Sequence, residues 1–346
     1  GHIMARRERG WKDLARTRPR IRGMNRRELL LAAAAAPAAL ALPGSALAAV
    51  RGGVTVALVT ADDEDRVLAV DLGGLRVVER LAVPDHPAGI ETVDRMRSAL
   101  VLSQASGTVT ILDAVRLRVR TVLSGFQAPR YAAGDPNGRY AYVSDDAAGQ
   151  VIAIDVPAAR VVGRVEVGAG ARHITIDAGG SRVVTSLGSK APRIAVVDVG
   201  NPRRPRLERT FPADDLAHDV GFTPDGTLLW VSSGVDRRLA IHDATTFRRV
   251  HAVVGDGAPQ HVTFDDLGRF AYVASGESGT LRTHRMGDGA VLRTRTVTTG
   301  SYNVCALGGS VVTPSLDDGR LTVLDAKGLR SVHLTTHAHD ACIVVA

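Results

Sequence analysis

Along residues 128–168 apolar and polar positions alternate in short runs, with no helical 3.6-residue spacing among them. The alternation predicts one four-stranded unit: an inner strand at 131–134, a second at 140–144, a third at 151–155 and a fourth at 161–167. Between the first two lies Asp135-Pro136-Asn137-Gly138, where proline pre-sets its own φ and glycine supplies a positive one. Residues 146–149 make the next turn. A sheet this small cannot bury both of its faces alone, so it must pack against others like it.

Those others are written into the third strand. VLAVD closes at Asp71, VTILD at Asp113, VIAID at Asp155, IAVVD at Asp198, LAIHD at Asp243 and LTVLD at Asp325. The steps are 42, 42, 43, 45 and 82 residues, and LRTHR, ending at Arg285, fills the vacant place in the last. Seven units of about 42 residues predict an all-β fold, a seven-bladed β-propeller with four antiparallel strands per blade. Blade one has a second, third and fourth strand at 54–60, 67–71 and 75–83 but no inner strand. Residues 339–345 read like the inner strands elsewhere, so the C-terminal strand is expected to complete blade one and close the ring without an open edge. The other blades run from about 84 to 125, then to 168, 213, 255, 300 and 336. Blade four carries an insert, Asn201-Pro202-Arg203-Arg204-Pro205, read as a surface turn. Glycines in DPNG (135–138), DAGG (177–180), TPDG (223–226) and DDLG (265–268) stand between strands, where they serve turns and not phosphate binding.

Residues 1–48 read differently. Gly1-His2-Ile3 looks like a vector scar. A basic stretch follows, then an apolar run at 29–42 that is too short to span a bilayer comfortably, then the small-x-small site Ala46-Leu47-Ala48. This is the pattern of a cleavable signal peptide, and Asn25-Arg26-Arg27-Glu28-Leu29-Leu30 resembles a twin-arginine motif without the usual preceding Ser or Thr, so a Sec signal is the other route. The leader carries ten basic and three acidic residues, the whole of the chain's +7. The domain at 49–346 is therefore neutral, and its charge calls for no nucleic-acid partner. The reading is of an exported monomer, periplasmic or extracellular, with no stable membrane insertion. Two cysteines, Cys305 and Cys342, fall at matching places in adjacent inner strands. They admit a disulfide, two buried thiols, or a thiolate in a copper site.

The repeats GAGARHITIDAGGSRVVTS, DLAHDVGFTPDGTLLWVSS and GAPQHVTFDDLGRFAYVAS, with AYVSD and AYVAS in the second strands, resemble the YVTN-repeat β-propellers of secreted and periplasmic bacterial proteins. More distantly they are similar to the lactonase-type seven-bladed propellers. Both resemblances imply the propeller fold, and the second implies lactonase-like chemistry. The sequence contains no Gly-x-Ser-x-Gly nucleophile motif.

A propeller presents its site where the inner strands begin, and there this chain is polar in nearly every blade. The entrances carry Asp85 and His86, Arg130 and Tyr131, Arg172 and His173, His218 and Asp219, Gln260 and His261, Tyr302 and Asn303, and, at the C-terminus, His337, His339 and Asp340. Three readings stay open. The side chains hydrogen-bond between blades and to channel water. Or His86, His173, His218, His261, His337 and His339, with Asp219 or Asp340, hold one divalent metal ion, Cu or Zn being favoured by imidazole. Or Arg130, Tyr131, Arg172, Gln260, Tyr302 and Asn303 bind a small anionic molecule, with histidines as acid–base groups. The corresponding functions are a small-ligand or metal-binding protein, a metal-dependent enzyme (a lactonase-like hydrolase or a copper-assisted oxidase), and a protein-interaction scaffold. Asp62-Asp63-Glu64-Asp65 reads as a solvated acidic turn or a Ca²⁺ site. His242, His251, His284 and His333 read as structural residues of outer strands, and Lys190 as a solvated loop residue.

Overall fold

Strand pairing follows the repeat. The computed structural model describes residues 53–346 apart from Asp256, so the scar and leader lie outside the described residues. Among the described residues, strands pair into seven sheets of four, antiparallel throughout, and no helix is long and apolar enough to cross a membrane. Blade three illustrates the plan with Pro129–Gly134, Tyr140–Asp145, Gln150–Asp155 and Arg160–Glu166, innermost to outermost. The C-terminal strand Ala338–Val345 pairs with Thr55–Ala61 and becomes the inner strand of blade one. Val54 N–H donates to Ala346 O at 2.9 Å, and Ala346 N–H donates back at 3.0 Å, so the two ends of the propeller hold each other.

The recurrent aspartate that marks the repeat is a turn residue. Each carboxylate accepts a backbone N–H two or three residues on: Asp71 from Gly73 at 2.8 Å, Asp243 from Thr246 at 2.7 Å, Asp325 from Lys327 at 2.8 Å. The Thr246 N–H holds the Asp243 carboxyl below the usual carboxylate range, and Arg206 does the same for Asp198. Where blade six has Arg285 instead, Asp288 takes over, accepting Ala290 N–H at 3.0 Å and pairing with Arg285 at 2.8 Å.

A second device recurs one turn earlier. Asp65, Gly107, Gly149, Arg237, Gly279 and Gly319 all have φ between 49° and 65°, and each carbonyl accepts an N–H from the chain leaving that blade's outer strand. At Gly319 a Cβ would lie 1.6 Å from Thr335 O, so only glycine fits there.

The core is divided like the sheet. Seven apolar clusters fill the seven gaps between neighbouring blades, built mostly of Val, Ala, Leu and Ile. The outer strands are exposed and rich in arginine, as in Arg118–Leu123 and Arg160–Glu166. In six blades a bulge interrupts the pairing between third and outer strands, which with the charge discourages edge-to-edge association.

One detail departs from the sequence reading. Blade four's outer strand is Arg206–Ala217, four residues longer than expected, because its end returns to pair with Ala191. The 201–205 insert is a surface turn, as expected, and it presses on blade three at Gly163, where a Cβ would meet Pro202 O at 2.3 Å. The cysteines are both free and buried. Cys305 packs in the cluster between blades seven and one, and Cys342 in the cluster between blades one and two, so blade one separates them. The disulfide reading is thereby corrected. Burial pushes both thiols up, which disfavours the thiolate a copper site requires.

Candidate functional site

The polar entrances divide into three groups, and only one of them converges. Tyr131 and His173, from the inner strands of blades three and four, stack with ring centroids 4.3 Å apart. His218 and His261, from blades five and six, lie 4.5 and 5.1 Å from His173 and 5.3 Å from each other. One potential ligand atom from each of the three histidines lies within 4.8 Å of the others. All three imidazoles are buried. Four consecutive blades thus bring an aromatic hydroxyl and three imidazoles to one end of the ring.

Beside them, Arg130 Nε and Arg172 Nη1 reach the same oxygen, Asp146 Oδ2, at 3.1 and 3.3 Å. Both arginine side chains are only 4% exposed, and Asp146 is 21% exposed. Two guanidiniums share one carboxylate in a poorly solvated place, leaving one positive charge in excess there among the described residues. Burial, followed by the like charge of Arg172, pushes the Arg130 guanidinium down to about 10. Burial also pushes the Tyr131 hydroxyl up, although both arginines lie close enough to oppose it. Arg130 Nη1 is buried with no acceptor among the described residues. A bound anion would satisfy it and neutralise the excess charge.

Asp146 was read from sequence only as a turn residue. The available signal was its place after the second strand: the run Ser144-Asp145-Asp146 carries two carboxylates where blades four to six carry Gly188, Gly234 and Gly276. Asp145 has its own task, accepting N–H bonds from Gln127 and Ala128 at 2.7 and 2.8 Å, which fixes the loop leading to Arg130.

The second group ties blade to blade. Asp219 accepts Val220 N–H and, from blade six, Val262 N–H, both at 3.0 Å. Asp340 accepts Ala341 N–H at 2.8 Å and, from blade two, Ile90 N–H at 3.0 Å. Their backbone N–H groups bond to Ser232 Oγ and Thr60 Oγ1 of their own second strands. Both carboxylates are therefore used as inter-blade pegs. Asp340 does not join the histidine trio, whereas Asp219 Oδ2 stands 3.7 Å from His261 Nδ1. Gln260 Oε1 accepts Gly276 N–H at 3.0 Å, Tyr302 packs flat on Gly276, and Asn303 Nδ2 donates to His339 O at 2.7 Å. These three buttress the joints between blades and do not join the arginines.

The third group clasps the ring. His339 Nδ1 lies 2.9 Å from Asp62 Oδ2, His337 Nδ1 pairs with Asp63, and Thr335 Oγ1 donates to Glu64. Asp65 Oδ1 accepts His86 N–H at 3.0 Å. Burial works against ionising Asp62, but the His339 hydrogen bond and charge outweigh it and hold its carboxyl below the usual range. The acidic turn read as solvated is thus engaged by the segment that enters the closing strand. His86, His337 and His339 do not reach the trio, and the side chains of His86 and Asp85 are exposed.

Lys190 is exposed in its loop. His251 and His333 are exposed on outer strands, whereas His242 and His284 sit on third strands and are buried. His284 Nδ1 donates to Gly289 O at 2.8 Å and its ring meets Trp230 edge-on, while His242 lies 3.2 Å from Asp214.

Fold and site together define a seven-bladed propeller with a buried basic and imidazole-lined end. The model of the family described as "Lactonase, 7-bladed beta-propeller" matches residues 112–315, more than half of the chain. The chain belongs to that family. No curated protein matches it. Among solved structures it is similar to a functionally unknown protein from Desulfotomaculum acetoxidans, with a TM-score of 0.74 and 12% identity over 84% of this chain and 98% of that one. It is also similar to the hydrazine synthase of Kuenenia stuttgartiensis, with a TM-score of 0.64 and 16% identity over 81% and 92% of the two chains. At these identities the likeness is one of fold.

Proposed function

We propose that this propeller acts after export by binding a small carboxylate-bearing molecule at Arg130 and Arg172, and that it opens lactones to such carboxylates. The observation that carries the reading is the single Asp146 carboxylate shared by two buried guanidiniums. A site with surplus buried positive charge favours a ligand that brings a negative one, and a guanidinium matches a carboxylate with two parallel N–H bonds. Membership of the lactonase family supports the chemistry. Water adds to the lactone carbonyl, the ring acyl C–O bond breaks, and the alkoxide leaving group takes up the proton that the water gave. A neutral imidazole from His173, His218 or His261 is suited to carry that proton, and the guanidiniums to stabilise the oxyanion and then the carboxylate product.

Calorimetric titration with small hydroxycarboxylates, and pH-stat assay of their lactones, test this. Hydroxycarboxylates should bind, and Arg130→Met or Arg172→Met should weaken binding by about 10- to 100-fold, the range for losing a charge-assisted hydrogen bond. Binding without proton release from any lactone would leave a ligand-binding protein and remove the hydrolytic step. Binding unaffected by either substitution would overturn the site assignment.

A further inference from the structure

We propose that His173, His218 and His261 form a three-imidazole site for one divalent transition-metal ion such as Zn²⁺ or Cu²⁺. The proposal uses the imidazoles and not the guanidiniums, so it is tested apart from carboxylate binding, but an imidazole that holds a metal ion cannot also carry the proton in lactone opening. His173 and His261 lie in the inner strands of blades four and six and His218 immediately before that of blade five, their potential ligand atoms lie within 4.8 Å of one another, and all three side chains are buried.

The surroundings of the rings support ligation over packing. Each Nδ1 faces a protein oxygen. His218 Nδ1 lies 3.1 Å from Ser189 O, a carbonyl that only accepts, so Nδ1 carries the proton and Nε2 carries the lone pair. His173 Nδ1 lies 3.5 Å from Ser186 Oγ, whose own proton is directed to the carbonyls of Gly188 and His218 at 3.4 and 3.3 Å. With its single proton on either carbonyl, the hydroxyl is free to accept from His173 Nδ1, the arrangement that leaves Nε2 for a metal ion. His261 Nδ1 stands 3.7 Å from Asp219 Oδ2, itself pinned by Val262 N–H. The carbonyl behind His218 and the hydroxyl behind His173 are the kind of partner that orients a histidine ligand, and the Asp219 carboxylate, 3.7 Å from His261 Nδ1 and outside hydrogen-bond reach of it, adds negative charge.

Charge is compatible as well. Neutral imidazoles suit a divalent ion, Asp219 stands near one of them, and Asp146 offsets one of the two nearby arginines, leaving the other for an anionic ligand. Three protein ligands would leave a fourth position of a tetrahedral ion for water or a ligand oxygen. The other acid–imidazole group, Asp62, Asp63 and His337, offers a contrast: two of its members are already paired with each other, and Asp62 with His339.

Co²⁺ titration of chelator-stripped protein, followed by its visible d–d absorption and by displacement with Zn²⁺, tests the site. The expected result is one equivalent of Co²⁺, displaced by Zn²⁺, with binding weakened more than about 100-fold in His261→Ala and in His218→Ala, beyond the 10- to 100-fold cost of losing an outer partner. His337→Ala and Arg172→Met should bind Co²⁺ normally. That arginine variant separates the two proposals, because it is expected to lose the carboxylate and keep the metal. A measurement on the unmutated protein guards against variants that fail to fold: Cu²⁺ at one equivalent should show hyperfine coupling to three nitrogens in its electron paramagnetic resonance spectrum. Folded protein that binds no Co²⁺, Co²⁺ binding lost in His337→Ala and kept in His261→Ala, or a Cu²⁺ spectrum without three-nitrogen coupling would each overturn the assignment.

Discussion

Asp219 and Asp340 occupy equivalent places in blades five and one, and each carboxylate accepts a backbone N–H from the blade that follows it. An unpaired buried N–H costs about 1–3 kcal/mol, so these bonds matter more by what their loss exposes than by what their presence adds. Asp340→Ala leaves Ile90 N–H and Ala341 N–H unpartnered by that carboxylate and is expected to destabilise the protein by about 2–4 kcal/mol, measured by urea denaturation. Asp219→Ala should cost a similar amount, since it leaves Val220 N–H and Val262 N–H without that carboxylate. Ser and Thr hydroxyls of the second strands complete these joints, as Ser232 Oγ does by donating to Gln260 O at 2.6 Å. Small polar residues, not large aromatics, thereby fix the entrances on which the site depends.

Among elements, the closing strand decides whether the ring exists. Ala338–Val345 is buried along almost its whole length and contributes to two of the seven apolar clusters. The acidic turn Asp62–Glu64 clasps the segment that leads into it through His339, His337 and Thr335. A chain ended after Thr336 exposes the apolar face of Thr55–Ala61 and an open sheet edge, and it should lose the cooperative melting transition seen by calorimetry. A permuted chain that begins at His337 and joins Ala346 to Val54 through Asn-Gly keeps every strand pair of blade one. It should melt in a single transition, because residues 346 and 54 already face each other across a hydrogen-bonded pair. Failure of that permutant to fold would show that the chain connection between residues 336 and 337, and not strand pairing alone, is needed to close the ring.

The whole molecule carries its histidine burial as a pH dependence. Burial lowers the pKa of His242 and of His284 below the ordinary histidine value, with hydrogen bonds opposing only in part. In the unfolded chain both take up protons near pH 6.5, while in the folded protein they stay neutral to lower pH. The unfolded state then binds more protons, so stability is full above that range and falls as pH drops through it. Asp266, raised by burial to about 6, works the other way over the same range, so the histidine contribution is read as a difference: between pH 7.5 and pH 5.5, urea denaturation should show His284→Gln losing less stability than the unmutated protein, since glutamine can still donate to Gly289 O and does not titrate. An equal decline in the variant would assign the dependence to other groups. Neutral buried imidazoles are also what the proposed metal site requires, although those are different side chains in a different part of the blades.

Seven repeats, their four strands and the C-terminal closure were legible in the chain because each rests on local chemistry: period-two alternation, and an aspartate that caps the same turn in six blades. The polarity of the entrances was legible for the same reason. Which of those entrances meet was decided only by tertiary structure. The inner strands of blades three to six aim Arg130, Tyr131, Arg172, His173, His218 and His261 into one region, whereas His339 is drawn aside by Asp62 and His86 is left outside. Asp146 gained its importance solely from lying within reach of two arginines on different blades, 16 and 26 residues away along the chain. Cys305 and Cys342 match in register yet face different inter-blade gaps. A repeat determines what each blade offers at its entrance. Blade rotation, strand bulges and the nearest counter-charge determine which of those groups share a site, because these act between segments that no local pattern connects.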